Sequence, residues 1–230
     1  MNLKLNQDRI DQIEKEKQIN NGKDIKMAIG IPLSWHYVPS DFFDSCLMMH
    51  KHNAEVIRAS CGPIHEMRNT IGLRALELNC THLIFLDADM VYPIDTIPKL
   101  LSHDKDIVGA LTFKRCPDFD PLCFSGEPYK MTQVDPIPEE LFEVTATGTG
   151  CLMVKTHVFE NLDFPWFKFD THDGHLVGED INFCYKAKEK GFKIYVDPTV
   201  RTEHLTQTRV DWNLYQMQKS LKKQGLGFSF

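Results

Sequence analysis

From Lys26 onward, short apolar runs alternate with stretches in which apolar residues recur at helical spacing. The apolar runs of the first half predict strands at 27–32, 54–60, 81–90 and 106–113. The periodic stretches predict helices at 41–50, 65–79 and 93–101. Such alternation is typical of β-α-β units. We therefore expect an α/β fold with a mostly parallel central sheet flanked by helices.

The second half continues the alternation less regularly. Its predicted strands are a glycine-interrupted run at 144–155 and a run at 192–198, with an extended segment at 163–170. Its predicted helices begin at Thr156, span 179–190, and end the chain around Trp212, Tyr215 and Leu221. The stretch 116–138 is proline-rich and predicts an irregular loop. Because composition does not shift along the chain, both halves are expected to share one sheet.

Charge and hydropathy restrict the partners of the protein. A formal charge of −6 and a pI near 5.9 disfavour duplex nucleic acid as a partner, but only weakly, because two groups of lysines offer local phosphate contacts. These lysines are 186, 188 and 190, and 219, 222 and 223. No apolar run approaches the about 18 residues that span a bilayer, so no membrane insertion is expected. The polar start of the chain and seven cysteines without a CxxC pair predict a cytoplasmic protein.

Two aspartates carry the clearest chemical signal. The run 81–90 is nearly all apolar until it meets Asp87 and Asp89, which is typical of a strand buried on both faces whose end opens into a crevice. Carboxylates in this arrangement are ligands for Mg²⁺ or Mn²⁺, which proteins usually share with the phosphates of a substrate. A turn or helix cap is the alternative structural explanation. The pattern also fits the D-x-D-x-V string of haloacid-dehalogenase-like phosphatases, with Asp87 as nucleophile.

A second constellation, Gly178-Glu179-Asp180, opens a predicted helix, and His204 follows the next predicted strand. The order of an FLDADM strand end, a GED helix start and a later histidine resembles the GT-A glycosyltransferases from about Lys26 to His204. In the phosphatases the aspartate strand normally opens the fold. Here two strand and helix units precede it, so the phosphatase is the second choice.

The resemblance implies roles for these residues. It implies Asp89 as a direct metal ligand, Asp87 as a ligand or a ribose contact, and His204 as the remaining protein ligand of Mn²⁺ or Mg²⁺. In inverting members the aspartate of the later motif deprotonates the acceptor hydroxyl, so Asp180 is the expected general base and Glu179 is expected to orient the acceptor. Capping and the helix dipole explain one acid at this position without a catalytic role.

The resemblance also implies contacts with a nucleoside diphosphate sugar, a UDP- or GDP-sugar. The expected contacts are Pro32, Ser34, Arg68, Asn69, Asp87, Arg115 and Gly150. Of these, Gly150 ends a Thr-Gly-Thr-Gly segment that lets backbone approach the sugar or forms a strand bulge instead. Either Lys114 or Arg115 is expected to neutralise the diphosphate.

The expected organisation is a single GT-A-like domain of Rossmann type at 25–230, preceded by an appendage at 1–24. Within it, 25–115 forms the nucleotide-binding half and 116–230 the acceptor-binding half. The expected function is metal-dependent transfer of a sugar to an acceptor hydroxyl, with inversion. Two further functions fit less well: a nucleotidyltransferase, which would carry a glycine-rich basic loop after the first strand, and a non-catalytic sugar-nucleotide-binding module. The sequence does not identify the sugar or the acceptor.

Overall fold

The computed structural model describes residues 25–34, 36–115 and 119–206. The appendage predicted at 1–24 and the last predicted helix, around Trp212, lie outside the described residues. So does the second group of predicted phosphate-binding lysines.

Helices and strands alternate over the first half of the described chain, as the hydrophobic pattern predicts, whereas the second half contains runs of consecutive strands. The helices are α1 Ser40–Met48, α2 Ile64–Glu77, α3 Thr96–Ser102, α4 Thr156–Asn161 and α5 Glu179–Glu189. The first seven strands are β1 Met27–Leu33, β2 Glu55–Ser60, β3 His82–Leu86, β4 Met90–Val91, β5 Ile107–Leu111, β6 Cys123–Ser125 and β7 Thr132–Gln133. The others are β8 Phe142–Val144, β9 Ala146–Thr147, β10 Cys151–Lys155, β11 Asp170–His172, β12 His175–Val177, β13 Ile194–Arg201 and β14 Glu203–His204.

The largest sheet has seven strands in the order β2-β1-β3-β10-β5-β13-β8. The pairings make β1, β2, β3, β5 and β13 parallel to one another, while β10 and β8 run the opposite way. The prediction of an α/β fold with a mostly parallel central sheet is confirmed. Strands from both sides of residue 115 contribute to this sheet. Smaller sheets pair β11 with β12, β14 with β4, and β6 with both β7 and β9.

The third strand is buried on both faces. Leu83 and Phe85 of β3 belong to one hydrophobic cluster, together with residues of α2, α4 and α5. Ile84 and Leu86 belong to a second cluster, together with residues of α1 and α3. Successive side chains of a strand point to opposite faces, so β3 contributes to two cores at once. The turn that follows β3 is therefore carried by a rigid strand.

Two predicted strands and one predicted loop differ from the observed elements. The strand predicted at 81–90 ends at Leu86, because the backbone of the two aspartates bonds to other segments. The run 144–155 divides into β9 and β10, which lie in different sheets. The stretch 116–138, predicted to be irregular, contains the short antiparallel strands β6 and β7.

The segment 163–170 forms no strand before Asp170, because side-chain hydrogen bonds replace a ladder there. Trp166 Nε1 donates to Phe159 O at 2.9 Å. The Asn69 amide donates to Phe167 O at 2.7 Å and accepts from Phe167 N at 3.0 Å. Asn69 therefore fastens this segment to α2.

Replacing Asn69 with alanine is expected to destabilise the fold by about 3 kcal/mol, because it removes two hydrogen bonds and leaves buried polar groups of Phe167 unpaired. Asn161→Ala is the matched control, since Asn161 makes one exposed hydrogen bond to His157 O. The control is expected to cost about 0.5 kcal/mol or less. Urea unfolding measures both, and equal losses would contradict the assigned role.

Candidate functional site

The turn of Asp87 and Asp89 follows β3 at the carboxyl end of the parallel strands. Its backbone lies against Gly150, since Asp87 N donates to Gly150 O at 3.0 Å. A Cβ atom on Gly150 would lie 2.6 Å from Met90 Sδ and 3.3 Å from Asp87 Oδ2. Glycine is therefore required here by the close approach of the two loops.

The buried Tyr92 joins the same two loops. Its hydroxyl lies 2.7 Å from Asp87 O and 2.8 Å from Gly150 O. Burial, together with the neighbouring acidic groups, raises the pKa of Tyr92 well above its usual value. The hydroxyl therefore keeps its single proton and shares it between the two carbonyl oxygens.

His204 reaches the aspartate turn through the pairing of β14 with β4, in which it is registered with Met90. Leu205 N also donates to Asp89 O at 2.8 Å. The His204 Nδ1 atom lies 2.7 Å from Phe113 O and must carry a proton to bond to a carbonyl. The Nε2 atom then faces Asp89 Oδ2 at 3.5 Å.

Two basic side chains, His204 and Arg115, lie beside the Asp89 carboxylate. Burial alone would lower the pKa of His204, but the Asp89 carboxylate and the Phe113 carbonyl raise it above its ordinary value. Burial would raise the pKa of Asp89, but His204 and Arg115 together lower it. Arg115 Nη1 donates to Asp89 Oδ2 at 2.7 Å. The Asp89 carboxylate is therefore held ionised and faces the His204 imidazole and the Arg115 guanidinium.

Arg68 connects the aspartate turn with the start of α5. Its side chain is 4% exposed, and Nη2 lies 3.1 and 3.0 Å from the two carboxylate oxygens of Asp87. The Nη1 atom lies 2.5 Å from Glu179 Oε1, although the two residues are 111 positions apart. One buried guanidinium thus pairs with one carboxylate from each acidic motif.

Asp180 is the second acid of the helix start. Its Oδ1 accepts a hydrogen bond from Ile181 N at 2.7 Å. Burial raises the pKa of Asp180 above its ordinary value, the Arg68 charge opposes this, and the Glu179 charge adds to it. A carboxylate with a raised pKa is a stronger base than an ordinary aspartate.

The predicted metal ligands are only partly brought together. Asp89 and His204 face each other, whereas both oxygens of Asp87 accept from Arg68. Among residues 25–34, 36–115 and 119–206, no three His, Cys, Asp or Glu side chains converge as a metal site. The three-ligand set of the sequence analysis is therefore not preformed, since Asp87 is paired with Arg68 and Asp89 is paired with Arg115.

The residues predicted to contact the nucleotide lie in different environments, some exposed at a strand end and others bonded to protein groups. Pro32 and the exposed Ser34 lie at the carboxyl end of β1, next to β3 in the sheet. The Asn69 amide bonds to the Phe167 backbone, a structural role that the sequence did not reveal. Lys114 pairs with Asp120 at 2.9 Å.

Sequence reasoning missed Tyr92, and it named Arg68 as a nucleotide contact without identifying its two acidic partners. The role of Tyr92 and the double pairing of Arg68 depend on contacts between distant segments. The nearest sequence signals are a tyrosine shortly after the two aspartates and an arginine on the apolar side of α2. Neither signal names a partner.

A mostly parallel sheet with an Asp-x-Asp turn at the end of an inner strand, an acidic helix start and a returning histidine is the arrangement that the resemblance to GT-A glycosyltransferases implies. The family model described as "Glycosyltransferase like family 2" matches residues 48–220, and the chain belongs to this family. Membership decides against the phosphatase alternative. No curated protein matches the sequence.

Solved structures share the fold at low sequence identity. A197 from STIV has a TM-score of 0.59 at 18% identity, over 80% of this chain and 87% of that one. GalNAc-T7 with UDP, GalNAc and Mn²⁺ has a TM-score of 0.52 at 14% identity, over 80% of this chain and 44% of that one. S. aureus TarS 1-349 has a TM-score of 0.50 at 13% identity, over 79% and 60%. The match thus spans less than two thirds of the GalNAc-T7 and TarS chains.

The helices of the described residues are short and amphipathic. None of them is both long and apolar enough to cross a bilayer.

Replacing Arg68 with methionine is expected to destabilise the protein by about 3 kcal/mol or more, because two carboxylates then lose their buried partner. Arg74→Met is the matched control on the same helix, since Arg74 pairs with Glu77 on the surface with 55% of its own side chain exposed. The control is expected to change stability by at most about 1 kcal/mol. Urea unfolding of both variants measures the difference, and similar values would contradict the assigned role of Arg68.

Proposed function

We propose that this glycosyltransferase moves a sugar from a UDP- or GDP-sugar to an acceptor hydroxyl with inversion, using a divalent metal and Asp180 as base. The observation that carries the proposal is the Arg68 bridge. It holds the aspartate turn, where a diphosphate would bind, beside the helix start that carries Asp180. A leaving-group site and a base are thereby joined at one end of the sheet.

Asp89 and His204 are the protein groups that fit a metal ion best. Their facing atoms are 3.5 Å apart. A carboxylate oxygen and an imidazole nitrogen are suitable ligands for a divalent metal ion, so these two residues would hold it. Bound there, Mn²⁺ or Mg²⁺ would act as a Lewis acid that stabilises the departing diphosphate. The GalNAc-T7 structure with UDP and Mn²⁺ offers a precedent within the fold.

Asp87 is better suited to the nucleotide than to the metal. Arg68 takes one acceptor position on each of its oxygens, and a carboxylate oxygen has a second. The side chain is 23% exposed, so a ribose hydroxyl has access to the remaining positions. Pro32 and Ser34, at the neighbouring strand end, are proposed to line the base pocket.

Asp180 is proposed to take the proton of the acceptor. The acceptor oxygen attacks the anomeric carbon as the bond between that carbon and the diphosphate oxygen breaks, and the acceptor proton passes to the Asp180 carboxylate. The raised pKa of Asp180 favours this transfer. Glu179, which was expected to orient the acceptor, is instead proposed to act through Arg68, because its Oε1 is bound by that guanidinium.

Arg115 is proposed to neutralise the diphosphate. Its side chain is 58% exposed and bonds to Asp89, beside the proposed metal position. An arginine offers five donors, so contact with Asp89 leaves others for phosphate oxygens. Cations aimed at charge that develops in the transition state lower the barrier.

Replacing Asp89 with alanine is expected to weaken Mn²⁺-dependent binding of UDP or GDP at least about 100-fold, because the metal loses a charged ligand. Calorimetry with and without Mn²⁺ measures the change. Asp44→Ala is the control, since Asp44 is exposed on α1. Wild-type protein that binds neither nucleotide with Mn²⁺, or an Asp89 variant that binds as the wild type does, would refute the metal-dependent donor site.

Replacing Asp180 with asparagine is expected to lower turnover at least about 100-fold while donor affinity is retained, because only the base is lost. The variant is also expected to be more stable at pH 7. A raised folded-state pKa means that the folded protein loses stability as Asp180 ionises with rising pH, and asparagine removes this cost.

Release of nucleoside diphosphate from the best-binding donor, with water as acceptor, measures turnover, and urea unfolding measures stability. Glu189→Gln is the control, since Glu189 is exposed at the far end of the same helix. Full turnover by the Asp180 variant would exclude this residue as the base.

A further inference from the structure

Tyr92 supports the aspartate turn from the core of the protein. The residue is 4% exposed, and its ring packs edge-on against Phe42 of α1, with centroids 6.3 Å apart. Its hydroxyl is the part that reaches the site, at 2.7 Å from Asp87 O and 2.8 Å from Gly150 O. The ring is thus anchored in one core while the hydroxyl holds backbone of the site.

The two carbonyl groups belong to loops at the ends of adjacent antiparallel strands. In the ladder of β3 and β10, Leu86 is the partner of Cys151. Just beyond this pair, Asp87 N donates to Gly150 O at 3.0 Å, and this is the last bond between the two segments before they separate into loops. Two buried carbonyl oxygens repel each other unless a donor lies between them. The Tyr92 hydroxyl provides that donor and, together with the bond from Asp87 N to Gly150 O, holds the gap between the loops.

The distance between the Asp87–Asp89 turn and Gly150 can change little. Gly150 has no room for a Cβ atom, which would lie 2.6 Å from Met90 Sδ and 3.3 Å from the Asp87 carboxylate. A change in the gap therefore displaces the Asp87 carboxylate or the backbone that leads to Asp89. Groups that hold metal-binding residues from outside typically change metal affinity about 10- to 100-fold when they are removed.

We infer that Tyr92 is a positioning residue for the donor site, whose hydroxyl helps to hold the gap between the Asp87–Asp89 turn and Gly150. The inference rests on the proposed function, because it assigns the turn to a metal and a nucleoside diphosphate. It assigns Tyr92 no contact with the donor itself. The hydroxyl acts through the two backbone carbonyls.

Tyr92→Phe removes the hydroxyl and keeps the ring in its core. Affinity for UDP or GDP in the presence of Mn²⁺ is expected to fall about 10-fold. Tyr185→Phe is the matched control, since Tyr185 is also 4% exposed and its hydroxyl accepts from Tyr129 N at 3.0 Å. Both variants lose one hydroxyl that bonds to backbone, so thermal unfolding is expected to show similar small losses. Only Tyr92→Phe is expected to lose nucleotide affinity.

A second variant approaches the same gap from the opposite side. Gly150→Ala inserts the methyl group for which there is no room, and the same loss of Mn²⁺-dependent affinity is expected. Calorimetry on the full chain measures all three variants against the wild type. Unchanged affinity in Tyr92→Phe, or an equal loss in Tyr185→Phe, would overturn the positioning role while leaving the proposed function intact. Absence of nucleotide binding by the wild type would instead overturn the proposed function, and the positioning role with it.

Discussion

The arrangement of the site depends on one buried cation. Arg68 is 4% exposed, and a charge at such a position is tolerated only when it is paired. Its two partners, Asp87 and Glu179, come from a strand end and a helix start that share no local contact in the chain. Because a guanidinium is planar with donors in fixed directions, it determines where both carboxylates lie. The distance between the aspartate turn and the start of α5 follows from this geometry.

The rest of the fold supplies rigid supports for that cation and its partners. The strand β3 contributes alternate side chains to two cores, so the turn that follows it has little freedom. On the other side, β14 pairs with β4 and brings His204 to Asp89. The His204 ring is oriented by the hydrogen bond between its Nδ1 atom and Phe113 O. The turn is thus supported by β3 on the side of Asp87 and by β14 on the side of Asp89.

The assignments that differ from expectation have a common cause. Asn69 was expected at the nucleotide, but its amide bonds to the Phe167 backbone. Glu179 was expected at the acceptor, but its carboxylate pairs with Arg68. In each case a buried polar side chain meets a buried partner from a distant segment, and such pairing takes precedence because an unpaired group is costly. Motif order carries no information about those partners.

The sequence by itself determined the order of most elements, the mostly parallel sheet, the carboxylates at the end of β3 and the resemblance to GT-A glycosyltransferases. These follow from hydrophobic periodicity and from motifs a few residues long, which are local properties. Only the tertiary structure decided that Arg68 joins the two acidic motifs, that His204 faces Asp89 and that Tyr92 bridges two loops. These contacts depend on the order of strands in the sheet and on the packing of α2 and α5 beside it. Both are set by the burial of the whole core, which no local pattern contains.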